Sequence, residues 1–154
     1  MASLEKALQI GPERIVTFSY AHVPWFKEHQ KKLEVYHLPD ANEKLSMLES
    51  AFQLLTGNGY TPIGMDHYAK PDDELALALK DKQLHRNFQG YTTDQAETLI
   101  GLGSTSIGRA PWGYVQNISE TGAWSRAVMA GQLPVAKGHE LSAADRARAQ
   151  VIEQ

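Results

Sequence analysis

Three short segments of this sequence carry side chains able to do chemistry. Ser19-Tyr20-Ala21-His22 and Met65-Asp66-His67-Tyr68 each end a run of β-forming residues, and His85-Arg86-Asn87 opens a polar, aromatic stretch. In parallel α/β sheets functional residues collect where strands end. His22, Asp66, His67 and His85 together are the donor types that hold zinc or iron. Their spacing argues otherwise: no HxH, HxxxH or HExxH occurs. A histidine after a strand more often donates to a loop carbonyl, so no metal ligand is expected.

Two further segments invite a ligand. Gly101-Leu102-Gly103-Ser104 is half of a phosphate-cradling loop, with neither the full GxGxxG nor a GK[ST] ending. Close backbone packing explains two glycines equally well. Arg109, just beyond, could pair with a carboxylate or lie solvated on the surface. Phe88-Gln89-Gly90-Tyr91-Thr92-Thr93 sets two aromatics, an amide and two hydroxyls around a glycine. That composition suits a purine or a flat tetrapyrrole, or a loop anchored by its aromatics. Trp25-Phe26 and Trp112 fall in expected loops, as lids or as surfaces facing other chain.

The whole chain bounds these readings. It has 154 residues, 42% hydrophobic and 21% charged, enough for one soluble domain with a core. Fifteen basic residues against eighteen acidic ones give a net charge of −3, a poor match to nucleic acid. There is no cysteine, which excludes disulfides, a thiol nucleophile and any cluster held by this chain's own thiolates. No apolar run is long enough to span a membrane, and Met1-Ala2-Ser3-Leu4-Glu5-Lys6 has no signal-peptide layout. A cytoplasmic location is expected.

The elements that must position the chemistry alternate. Leu4 to Gln9 is helical and stops at Gly11-Pro12, and Arg14 to Tyr20 is a strand. Asp40 to Thr56 is a helix, with Asp40 and Glu43 in capping-box spacing and Leu45, Leu48, Phe52 and Leu55 on one face. Tyr60 to His67 is the next strand. Strand, helix and strand with short joins predict an α/β fold containing a parallel βαβ unit. A helix over 72–80 has Leu75 and Leu79 inward, and 84–93 is irregular. Leu99 to Ile107 is a strand or strand-like turn, and mixed strands at 113–117 and 134–140 alternate with helices at 121–130 and 143–153. Both ends fall inside helices, which suggests a piece of something longer.

Three stretches resemble one family. They are Tyr20-Ala21-His22-Val23-Pro24, the run from Ile63-Gly64-Met65-Asp66-His67 to Leu75, and Leu84-His85-Arg86-Asn87-Phe88-Gln89-Gly90-Tyr91-Thr92-Thr93. In order and spacing they resemble the oxygen-independent coproporphyrinogen III oxidases. Leu99 to Ile107 and Tyr114 to Asn117 extend the resemblance over nearly all the chain.

The resemblance implies a radical S-adenosylmethionine (SAM) enzyme of haem biosynthesis on a partial (β/α)6 barrel, with a smaller C-terminal helical domain. Such enzymes oxidatively decarboxylate two propionates of coproporphyrinogen III to vinyl groups, yielding protoporphyrinogen IX, with a [4Fe–4S] cluster on a CxxxCxxC motif and two bound SAM molecules. This chain would be a single fragment, residues 1–154, from the C-terminal portion of the barrel. The cluster-binding part and the helical domain would lie outside it, and alone it would be inactive. By the same resemblance Ala21 contacts SAM, Phe88 and Gln89 line the second SAM, and Ile107 packs against SAM adenine. Asp66, His67 and Arg109 are catalytic candidates on chemistry only, Arg109 as a propionate partner. The alternative is a cluster-free tetrapyrrole- or haem-binding protein related to haem chaperones. An open slice of barrel leaves a strand edge and apolar faces uncovered, so self-association is expected.

Overall fold

A computed structural model describes residues 2–87 and 90–152. They form mixed α/β structure in two compact units that divide after Leu84. No described helix is long and apolar enough to cross a membrane.

The first unit contains helix α1 (Ala2–Ile10), strand β1 (Arg14–Val16), a 3-10 turn (Glu28–Leu33), helix α2 (Ala41–Gly57), strands β2 (Thr61–Gly64) and β3 (His67–Ala69), and helix α3 (Glu74–Lys80). α2 starts where the capping box predicts. The Glu43 N–H donates to Asp40 Oδ1 at 2.9 Å, and the Asp40 N–H donates to Glu43 Oε2 at 2.9 Å. It stops at Asn58, and Gly59 then turns the chain at φ +85°. Of its expected apolar face only Leu55 is buried, together with Ala51, while Leu45, Leu48 and Phe52 stay exposed.

The parallel βαβ unit is not formed. The sheet order is β1-β3-β2, and both outer strands pair antiparallel with β3. β1 and β2 therefore point the same way across α2 but are not neighbours. The cause lies in the run from Tyr60 to His67, which holds two strands rather than one. Met65 takes a positive φ of 49° after Gly64, and the chain reverses there within two residues. Likewise β1 ends at Val16 and does not reach Tyr20.

Ile15, Leu55, Tyr60 and Tyr68 form the core, with Leu4 and Leu8 of α1 packed against it. Polar contacts lock its rim. The Tyr60 hydroxyl donates to the Pro12 carbonyl at 2.5 Å, and Lys70 Nζ donates to the Gly11 carbonyl at 2.7 Å. Asp73 caps α3 by accepting from the Leu75 N–H at 2.8 Å, and it also receives Arg14 at 2.9 Å. Glu74 accepts from the same guanidinium, and the two carboxylates hold the Arg14 pKa above its ordinary value. In α3 Leu75 is buried as expected, while Leu79 is partly exposed.

The second unit opens with a hairpin of β4 (His85–Asn87) and β5 (Gly90–Thr92), where an irregular stretch was expected. Strands β6 (Ile107–Ala110), β7 (Gly113–Asn117) and β8 (Val135–Glu140) form an antiparallel sheet in that order. Helices α4 (Thr121–Met129) and α5 (Ala143–Ile152) flank β8 in sequence. Between 99 and 107 the chain is a loop touching the sheet through a Leu99–Arg109 bridge. Two glycines permit the close sheet. A Cβ at Gly108 would meet the Leu99 carbonyl oxygen at 2.9 Å, and one at Gly113 would collide with the His139 carbonyl. Every buried apolar side chain among the described residues belongs to the first unit.

Candidate functional site

Asp66 sits on the β2–β3 turn and His67 opens the antiparallel strand β3, so neither ends a parallel strand. Asp66 Oδ1 lies 2.7 Å from His67 Nδ1, with both side chains mostly shielded, at 27% and 20% exposure. A carboxylate on Nδ1 fixes the ring's orientation and favours a proton on that nitrogen. The Asp66 carbonyl accepts from the Thr17 N–H at 2.9 Å and from its hydroxyl at 3.3 Å, which ties the turn to the chain leaving β1. Burial, and then the charge of Asp66, push the neighbouring Tyr68 phenol above its ordinary pKa.

Ala21 lies in the loop after β1, with its side chain exposed. Gln30 clamps that loop: its Nε2 donates to the Ala21 carbonyl at 3.2 Å, and its Oε1 accepts from the Val23 N–H at 2.7 Å. His22 is set between the Tyr20 hydroxyl at 3.4 Å and Glu34 at 3.3 Å. Beside this loop Phe18 and Tyr20 join Leu4, Leu38, Met47 and Leu48 around a mainly apolar groove of about 540 Å³. Phe88 and Gln89 lie outside the described residues. Trp25, Phe26 and Trp112 are exposed.

Ile107 and Arg109 belong to the second unit, on β6. Ile107 stands opposite Gln116, which stands opposite Lys137, and Arg109 stands opposite Tyr114, which stands opposite His139. Side chains two apart share a face of a strand, so these six residues form two adjacent rows. A shallow groove of about 250 Å³ runs along Ile107, Tyr114, Gln116, Lys137 and His139. Sequence reasoning singled out only Ile107 and Arg109. The alternation in Tyr114-Val115-Gln116 and Lys137-Gly138-His139 marks the rest, but it needs the strand register to be read.

Arg109 also lines a cleft of about 370 Å³ with His85, Arg86, Asn87 and Thr92. Its guanidinium has no hydrogen-bond or ion-pair partner among the described residues. The glycine pair at 101 and 103 is held by packing and by Asn117. Asn117 Nδ2 donates to both of their carbonyls, at 3.1 and 2.9 Å, and a Cβ at Gly101 would meet the Ile107 backbone at 2.9 Å. Among the described residues no group of three or more His, Asp or Glu could hold a metal ion.

No family model matches the chain. Individual proteins do. The oxygen-independent coproporphyrinogen III oxidase of Paracoccus denitrificans is 45% identical over 151 residues, 98% of this chain and 34% of that protein. Its counterpart in Bradyrhizobium diazoefficiens is 43% identical over 152 residues, again 34% of its length. The solved coproporphyrinogen III oxidase of Escherichia coli, described as a radical SAM enzyme, superposes with a TM-score of 0.88. That match is 38% identical and covers 99% of this chain and 35% of that one.

This chain is homologous to one segment of the oxygen-independent coproporphyrinogen III oxidases. It spans about a third of the length of the curated relatives that it matches.

Proposed function

We propose that this chain contributes one segment of an oxygen-independent coproporphyrinogen III oxidase, acting in the oxidative decarboxylation of coproporphyrinogen III. The observation that carries this is the coincidence of sequence and structural similarity over 98–99% of the chain. On this reading the segment comes from the C-terminal portion of a partial (β/α)6 barrel, and its partners are coproporphyrinogen III and SAM.

The two cofactors fare differently on these residues. A [4Fe–4S] cluster needs thiolate ligands, and the chain has no cysteine. The cluster does not fit here, and no step on this chain runs through it. SAM fits in part: Ile107 and its neighbours Tyr114 and Gln116 offer an apolar, partly aromatic groove for a flat base. By the same resemblance Ala21, in the first unit, is a SAM contact of its own, and Phe88 and Gln89 are lining positions of the second SAM. When bound in a working enzyme, SAM supplies the hydrogen-abstracting agent. This chain's own residues bind and orient. Arg109 pairs with a propionate carboxylate, and His67, held by Asp66, takes up or releases a proton.

A chimera tests the reading. This chain replaces the matching segment of the E. coli oxidase, and the product is reconstituted anaerobically and assayed for protoporphyrinogen IX. Conversion of coproporphyrinogen III is expected. A soluble chimera that carries its cluster and binds SAM, yet makes no product, would overturn it.

A further inference from the structure

The cleft lined by the β4–β5 hairpin and Arg109 brings together two side chains that carry polar groups without a partner among the described residues. One is the Arg109 guanidinium, which lines the cleft with no partner among the described residues. The other belongs to His85, a lining residue whose Nε2 is closed off from solvent and has no hydrogen-bond partner among the described residues. Native structures rarely leave such atoms unmatched unless a ligand or an ordered water completes them. Nearby groups are already committed. The Arg86 guanidinium lies over the Tyr91 ring at 5.3 Å, and the Thr92 hydroxyl accepts from the Asp94 N–H at 3.0 Å.

We propose that this cleft is a carboxylate subsite, with Arg109 as its cationic fork and the His85 ring in its wall. A carboxylate matches a guanidinium in plane and in charge, through two parallel N–H···O bonds. The charge selects a monoanion. Asp94 and Glu97 are exposed members of the same lining, and one unpaired arginine beside two acids disfavours a doubly charged phosphate. One Asp94 oxygen is engaged by its own loop, where Oδ1 accepts from the Ala96 N–H at 2.8 Å. At about 370 Å³ the cleft is at the small end of ligand pockets. It takes a carboxylate-bearing arm, and a four-ring macrocycle would lie outside it. As a site for a propionate arm of coproporphyrinogen III the inference rests on the function proposed above. As a carboxylate site it does not.

The test is a titration of the 154-residue chain with sodium propionate, against sodium chloride at equal ionic strength. The readout is the NMR signal of the His85 ring, assigned with His85→Gln. A saturable shift in the millimolar range is expected with propionate and not with chloride. Arg109→Gln should weaken it at least tenfold, and Arg109→Lys, which keeps the charge but not the fork, should weaken it less. The other five histidine signals report that each variant is folded. No saturable shift, or equal affinity in Arg109→Gln, overturns the subsite. Coproporphyrin III and SAM are then each added as competitors. Displacement by coproporphyrin III assigns the arm to the tetrapyrrole, and displacement by SAM assigns it to the cofactor's amino-acid carboxylate. Propionate binding with displacement by neither keeps the carboxylate subsite and counts against the function proposed above.

Discussion

Among the described residues Leu55 is the one large side chain fully closed off from solvent, and it belongs to the same cluster as Ile15, Tyr60 and Tyr68. Truncating it removes buried methyl groups and leaves a cavity that rigid neighbours cannot fill. Leu55→Ala should destabilise the first unit by about 2–5 kcal/mol. Urea denaturation followed by circular dichroism measures this, and an unmoved midpoint would mean the cluster is not the core. At this scale the candidate site was half legible. Asp66, His67 and His85 stand out because their types are chemically distinctive and their segments match a family. That Arg109 lacks a partner among the described residues while Arg14 has two is a fact of three dimensions. No spacing in the sequence distinguishes one lone arginine from another.

Elements were legible where a side chain announces them. The Asp40–Glu43 box, Gly131 after α4 and Ser142 before α5 mark helix ends through local hydrogen bonds, and those bonds are formed in the structure. The hairpins were hidden because their signals are weak. Methionine is not a residue that suggests positive φ, so the break at Met65 was invisible, and 85–92 lacks the alternation that marks strands. The helix caps give the fold a pH signature. Glu43 is held below its ordinary pKa by the Asp40 N–H and then by His37. Glu120 is held low by the Gly122 and Ala123 N–H groups, and Asp145 by the hydroxyl and N–H of Ser142. All three bind protons more readily in the unfolded chain. Their contribution is therefore present above the ordinary carboxylate range and is lost as pH falls through the depressed folded values. Melting temperatures recorded from about pH 7 down to about pH 3 should drop on the acid side. Glu43→Gln with Glu120→Gln should flatten that drop, and an unchanged acid limb would sink the assignment.

On the scale of the whole molecule the two units differ in what holds them. The first has an apolar core, whereas the second has strand ladders, two helices and no buried apolar side chain among the described residues. Local stability follows buried contact. Backbone amides of β6, β7 and β8 should exchange with deuterium faster than those of α2 and β3, and hydrogen exchange read by mass spectrometry resolves the two. Equal protection would show that the units open together.

The strand order of the first sheet also gives it a polarity of growth. Its two borders are β1 and β2, and β2 carries Pro62, which has no N–H to offer an incoming strand. β1, with Arg14, Ile15 and Val16, has no such interruption. Any additional strand, whether from a longer polypeptide or from a second copy, meets an intact backbone template on one border only. A single imino acid thereby decides on which side this sheet can be extended.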